Sequence, residues 1–287
     1  MTRPHTCFVQ AQEIPWVDGI PGNPDAAVQS KVLSEDRGTG AFTAILKIAR
    51  GFSRRGPVHF GCDVEIYVLE GELEVNGIKY TKDNYTFWPS GYLRDTTASK
   101  EGCVVLALFD GFHQPILGAA PDGHFREDKL ITKLDVYAME WQTGVAGSVT
   151  SKPLSPDIFT KKLRVDPETQ EQTFLYSALP HHAPPPIMKG KFGHPMIEEL
   201  FVLSGEYTFG DVGRMGPGGY AWWRENEMHG PAGSEIGYNL FIRIYGGPLK
   251  NKFVEEASPF SFRPEHNPAL PDTLKLYSAP YPFTDPW

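Results

Sequence analysis

Cysteine is scarce in this chain: Cys7, Cys62 and Cys103 are the only three in 287 residues. An odd count without metal-type spacing argues against a disulfide framework and suits a reducing compartment. Long apolar runs are missing too. Nothing approaches the ~20 consecutive apolar residues of a membrane span, and Met1-Thr2-Arg3-Pro4-His5 lacks the apolar core of a signal peptide, so the cytoplasm is the expected address. Positive charge is in deficit, with 27 Lys plus Arg against 35 Asp plus Glu and a net charge of −8. No basic cluster stands out. A phosphate-backbone binder needs a positive patch, so nucleic acid is not an expected partner.

What is abundant points to strands. The 26 prolines and 29 glycines, with 6 Trp, 12 Tyr and 18 Phe, favour short strands and tight turns over long helices. Strands are expected at Phe42–Ile48, Val64–Leu69, Glu72–Val75, Cys103–Phe109, Ile197–Leu203, Tyr220–Trp223 and Tyr238–Tyr245, each rich in β-branched or aromatic residues and bounded by Gly or Pro. Short, evenly spaced strands suit barrels or sandwiches.

The chain also repeats itself. Lys31, Leu33, Asp36, Thr39, Thr43 and Ile45 align with Lys161, Leu163, Asp166, Thr169, Thr173 and Leu175, each 130 positions later. Trp16-x-x-Gly19 has a counterpart in Trp141-x-x-Gly144, read as barrel plugs or as packing between copies. Further on, Glu65 to Glu72 answers Glu198 to Glu206 at an offset of 133 or 134. Two copies of one β unit follow, with domains expected at 1–125 and 126–287 and a polar, helix-tolerant connector around Ala120–Asp135. Pro180 to Pro186 must be a loop or an edge, because proline has no N–H for a ladder. The proline-rich last twenty residues are expected to lie across a neighbouring domain or subunit.

One stretch carries chemistry. In Gly193-His194-Pro195-Met196-Ile197-Glu198, His194 and Glu198 share strand parity and can project into one cavity. If the chain turns at Gly205 and returns through Pro217-Gly218-Gly219, His229 can join them from a facing strand. Two imidazoles and a carboxylate hold a divalent metal. His181 or His182, in the proline loop upstream, could add a further ligand. Glu199 faces the other way by parity. His5, His113, His124 and His266 read as structural or surface residues, and Cys62 and Cys103 as small buried hydrophobes.

The spacing of these residues resembles the cupin superfamily, whose usual form is His-x-His-x-x-x-Glu, six residues, Gly, then Pro-x-Gly and a last histidine. His194, Glu198, Gly205 and His229 fit it, while Phe192 stands at the first histidine position. The match covers both halves and looks like a bicupin related to acetylacetone-cleaving dioxygenases and to cupin anti-sigma-factor domains. The resemblance implies an all-β fold of two tandem cupin barrels, of the double-stranded β-helix or jelly-roll type, that commonly pair as homodimers. The first half departs from the pattern. His59 precedes Glu65 by six residues, Gly61 replaces a histidine, and Arg94 falls where the last histidine belongs, so His59, Asp63, Glu65 and Arg94 form a degenerate site. A guanidinium cannot ligate a metal; Arg94 is expected to pair with Glu65 or Asp63.

With Phe192 in place of a histidine, two His and one Glu leave one side of the metal open, which suits non-haem Fe(II), with Mn, Ni or Zn also possible. The expected function is a dioxygenase acting on a small diketone, enol or phenolic substrate. A non-redox lyase, isomerase or cyclase, and a non-catalytic metal sensor, are the alternatives. Phe192, Trp223 and Arg243 are the expected substrate contacts. Arg243, a charge within an apolar strand, must either pair with an acid or anchor an anionic substrate.

Overall fold

The computed structural model describes residues 3–143, 155–282 and 287. Two compact units emerge. The first comprises residues 1–4 and 14–139, and the second residues 5–13 and 140–287. The division therefore lies at 139/140 rather than 125/126, and a short N-terminal segment belongs with the C-terminal half.

In the first unit the strands Val28–Asp36, Ala41–Ile48, Cys103–Phe109 and Val64–Val75 lie side by side and antiparallel. Val64, Ile66 and Val68 send alternate side chains into a core with Phe42, Val105 and Phe109, as period-2 alternation requires. The two strands expected at Val64–Leu69 and Glu72–Val75 are one, bent at Gly71, whose φ is +74°. The segment expected as a helix-tolerant connector contains a short 3-10 turn, Glu127–Lys129, and then the strand Ile131–Asp135, which pairs with Asn84–Trp88 of the first unit.

The second unit has a seven-stranded sheet in the order Thr6–Gln10, Gly219–Trp223, Ile197–Gly205, Tyr238–Tyr245, Gln172–Ala178, Ile158–Val165, Gln142–Thr143. Two small sheets complete the barrel: Phe192–Gly193 with Lys252–Phe253, and Tyr207–Phe209 with Gly213–Met215 and Ala232–Gly233. Side chains from the large and small sheets share one core, Leu200, Val202, Trp223 and Ile242 from one and Tyr207 and Phe209 from another. Thr6–Gln10 comes from the far end of the chain, and the proline-rich tail docks on it. The Cys7 and Ala269 backbones bond reciprocally, and Asn267 N–H donates to the Val212 carbonyl at 2.7 Å. The tail thus lies on its own unit.

The repeat is visible residue by residue. Asp36 and Asp166 each cap a turn by accepting from two backbone N–H groups, those of Gly38 and Thr39, and of Glu168 and Thr169. Lys31 and Lys161 stand over the rings of Trp16 and Trp141, 4.9 and 4.6 Å from the centroids. The tryptophans are cation platforms rather than plugs. Gly144 of the second Trp-Gly pair lies outside the described residues.

Candidate metal centre

The three donors come from three local pieces of chain. His194 lies between Phe192–Gly193 and Ile197–Gly205, Glu198 is the second residue of the latter strand, and His229 follows the turn after Gly219–Trp223. His194 and Glu198 therefore do not share one continuous strand, because Pro195 has no N–H to offer a ladder. Reciprocal backbone hydrogen bonds of 2.8 Å between Phe192 and His229 tie the two histidine segments together.

The donors converge closely. His194 Nε2 lies 3.0 Å and His229 Nε2 3.1 Å from the same oxygen, Glu198 Oε2. All three residues are buried, and among the described residues they are the one His/Cys/Asp/Glu group with ligand atoms within 4.8 Å of one another. His194 Nδ1 contacts the Lys250 carbonyl and His229 Nδ1 the Glu227 carbonyl, both at 3.1 Å. A carbonyl only accepts, so Nδ1 carries a proton on each ring, and the neutral form of either ring presents its Nε2 lone pair. His194 Nε2 and Glu198 Oε2 are buried without a hydrogen-bond partner. Lone pairs aimed at lone pairs repel unless a cation or an extra proton sits among them. That donor set fits a divalent metal.

The electrostatics agree. Burial opposes charge on His194, but the Glu198 carboxylate outweighs it and holds the imidazole above its ordinary value. Burial likewise opposes the Glu198 carboxylate, and His194 and His229 hold it well below the usual carboxylate range. The site attracts positive charge.

A cavity of about 60 Å³ opens on the centre. Phe192 forms one wall, its ring 4.5 Å from that of His229. Tyr176, Tyr207 and Tyr238 line another, and burial pushes all three phenols up, so they remain protonated donors. Two expected contacts do not reach the cavity. Trp223 lies in the core, stacked flat on His229 at 4.5 Å, where it supports the ligand instead of meeting substrate. Arg243 is on the opposite face of its strand from Ile242 and Ile244, which line the cavity, and its guanidinium is 3.9 Å from Glu199.

His182 is not among the converging donors. Its Nδ1 bonds Asp157 Oδ2 at 2.7 Å, and the ring lines the same cavity. His181 is exposed, held by a backbone bond to the Glu235 carbonyl. Burial pushes the Cys7 and Cys62 thiols up to about 12 and that of Cys103 to about 11, so none is a nucleophile at neutral pH.

The family profile described as the ChrR cupin-like domain matches residues 4–111. Among solved structures, a candidate dioxygenase from Nostoc punctiforme shares 20% identity over 92% of both chains at a TM-score of 0.71. An oxalate decarboxylase from Bacillus subtilis shares 10% identity over 88% of this chain and 80% of its own, at 0.55. The chain therefore has the two-barrel fold of a bicupin. The 7S globulin of Momordica charantia, 13% identical over 86% of each chain at 0.53, has a similar fold. No curated protein sequence matches the chain. Such likenesses give the bicupin its fold, and function must come from the site.

The bicupin's two barrels can be compared through their registers. Phe192 bridges His229 and pairs Phe253 in the second barrel; Val58 pairs Arg94 and Leu117 in the first. Arg94 therefore stands at the place of His229. Val64 opposes Trp88 as Glu198 opposes Trp223, which puts Val64 at the glutamate position and Phe60 at that of His194. The expected alignment of Glu65 with Glu198 is off by one residue, and a one-residue slip reverses the face. Glu65 instead matches Glu199: each is buried and accepts from a tyrosine, Tyr85 at 2.7 Å and Tyr220 at 2.6 Å. His59 is held by the Gly118 carbonyl at 2.9 Å, and Asp63 accepts from the Ser90 N–H at 2.7 Å. The Arg94 guanidinium stacks on the Phe60 ring, 3.8 Å from its centroid, and forms no ion pair with Glu65 or Asp63.

Proposed function

We propose that the second barrel is the active site of a metal-dependent dioxygenase acting on a small organic molecule of the diketone, enol or phenolic class. One observation carries the reading: the Nε2 atoms of two imidazoles face one carboxylate oxygen at 3.0 and 3.1 Å, with both opposite ring nitrogens already engaged. His194, Glu198 and His229 would hold the metal. Two histidines and a carboxylate with open positions suit Fe(II), while Mn, Ni and Zn accept the same donors. When bound, the metal supplies Lewis acidity and, if it is iron, electron transfer toward oxygen.

The chain's own residues do the rest. Phe192, Phe174, Ile242 and Ile244 give the cavity apolar walls that exclude water and suit a small planar substrate. Tyr176, Tyr207 and Tyr238 offer hydroxyls to substrate oxygens. His182 is oriented by Asp157, whose carboxyl lies below its ordinary value: burial opposes this, and the Ser155 hydroxyl and His182 outweigh it. With Nδ1 donating to Asp157, Nε2 is the nitrogen left to accept a substrate proton.

That same pair favours a second reading, a non-redox isomerase or lyase in which His182 moves a proton on a metal-held substrate. A non-catalytic sensor has no use for such a pair. Oxygen uptake during turnover of a β-diketone or catechol separates the two enzymes. Iron near one per chain, with oxygen consumption lost in His229→Ala, supports the dioxygenase. Turnover without oxygen uptake assigns the lyase or isomerase. The reading includes a small-molecule partner, a homodimer and a cytoplasmic location, the assembly being checked by light scattering of the purified chain.

A further inference from the structure

A second cavity lies in the first barrel. It measures about 120 Å³, twice the volume beside the metal centre. Leu46, Ile66, Leu73 and Val105 form its aliphatic wall, and Phe60 and Trp88 its aromatic one. Cavities of this kind accept ligands: an apolar one of about 150 Å³ is enough to take up benzene.

Into this apolar space projects a single permanent cation without a counter-charge. Arg94 lines the cavity, its guanidinium 3.8 Å from the Phe60 centroid and 6.0 Å from that of Trp88. It makes no ion pair and no hydrogen bond among the described residues, so its five donors have only the two π faces for company. A second arginine at the cavity, Arg54, is already paired with Asp25, and Asp25 also accepts from the Ala27 N–H. The carboxylate at the cavity is thus committed elsewhere. Burial, and then the neighbouring Arg54, lower the Arg94 pKa to about 10, which still leaves it charged at neutral pH. Leaving a half-buried guanidinium unpaired in apolar surroundings is costly, and a carboxylate is its natural bidentate partner.

The register sharpens this. Arg94 occupies the place of His229, and Val64 the place of Glu198. A glutamate at 64 would hand Arg94 an internal counter-ion; valine withholds it. Where the second barrel gathers lone pairs for a cation, the first gathers donors for an anion. We propose that the first barrel binds a small organic carboxylate, its anionic head on the Arg94 guanidinium and its body, about one aromatic ring in size, against Phe60, Trp88 and the aliphatic wall.

Titration calorimetry of the full chain with benzoate tests this, with benzamide as the neutral isostere. Saturable binding of one benzoate per chain is expected, with benzamide weaker by about tenfold or more, as expected for loss of a charge-assisted pair. Arg94→Met should abolish benzoate binding. Val64→Glu, which supplies the internal partner, should do the same and serves if Arg94→Met melts below the assay temperature. Binding must survive both chelation and His229→Ala, which separates it from a carboxylate held by the second barrel's metal. No saturation up to about 10 mM, equal affinity for benzamide, or binding lost on chelation would each overturn the assignment.

Discussion

The indole of Trp223 lies flat on the imidazole of His229, centroids 4.5 Å apart and planes inclined by 21°, with Phe209 stacked on Trp223 in turn at 5.4 Å. Trp223 and Cys7 belong to the same buried core. The His229 ring is thereby held on one side by this stack and at Nδ1 by the Glu227 carbonyl. Groups that orient a metal ligand in this way are worth about 10–100-fold in metal affinity. Trp223→Phe, which keeps an apolar ring but shrinks the platform, should weaken metal binding by about tenfold while the chain still folds. Competition with a chelating dye measures it. An unchanged affinity would show that the stack is packing alone.

Protonation should act in opposite directions on the metal-free and metal-loaded protein. His194 is raised above 6.5, so its contribution to metal-free stability is complete below 6.5 and lost as pH rises through the raised value. Glu198 is depressed below 4.5, so its contribution is present above 4.5 and lost as pH falls through the depressed value. The metal-free pair therefore stabilises most between 4.5 and 6.5. Metal needs the neutral imidazole, so its affinity should fall as pH drops through the raised His194 value. Melting with and without Mn²⁺ checks this: the metal-induced rise in Tm should be larger at about pH 8 than at about pH 6. Equal rises at both would contradict the protonation scheme.

The strands and the triad were legible in sequence because each rests on local chemistry. Cys103–Phe109 and Tyr238–Tyr245 read as strands from their β-branched and aromatic runs, and they are strands. His194, Glu198 and His229 were found by spacing, which survives even though Pro195 interrupts the ladder. What failed depended on register and on distance in sequence. Glu65 and Glu198 both precede a similar apolar run, yet Gly71 and Gly205 fix the offset at 134 and put Glu65 on the same buried face as Glu199. Arg243 gave no sign of its face without the pairing to Glu199. The His182–Asp157 pair spans 25 residues, and no local pattern signals it. Nor does anything in Thr6–Gln10 announce that it completes the second unit's sheet.

Those two glycines make a paired prediction. Gly71 has φ +74° and Gly205 φ +78°, and a Cβ on either would lie 2.1 Å from a carbonyl oxygen, that of Gly102 or Gly237. Neither backbone atom can move without breaking the ladder beside it. Gly71→Ala and Gly205→Ala should each cost at least about 1–3 kcal/mol from the left-handed backbone alone, with the collision added. Urea unfolding measures the loss. If either variant were as stable as the parent, the pairing of the glycine corner with its neighbouring strand would be wrong.

The His182–Asp157 pair separates holding a metal from using it. His182 is buried and lines the cavity together with Glu198, yet its Nδ1 is bonded to Asp157 and it does not join the ligand set. Removing a positioned acid or base costs about 10²–10⁴ in rate. His182→Gln should therefore lower kcat by about that factor while metal content stays at the parent level. Asp157→Asn keeps the hydrogen-bond geometry but removes the charge that favours the Nδ1-protonated tautomer. It should lower kcat less than His182→Gln does, because the ring is still held while its tautomer is less strongly biased. Metal analysis and kcat are read on the same preparations. If His182→Gln loses the metal together with the activity, His182 belongs to the metal's own support; if it loses neither, the proton moves by another route.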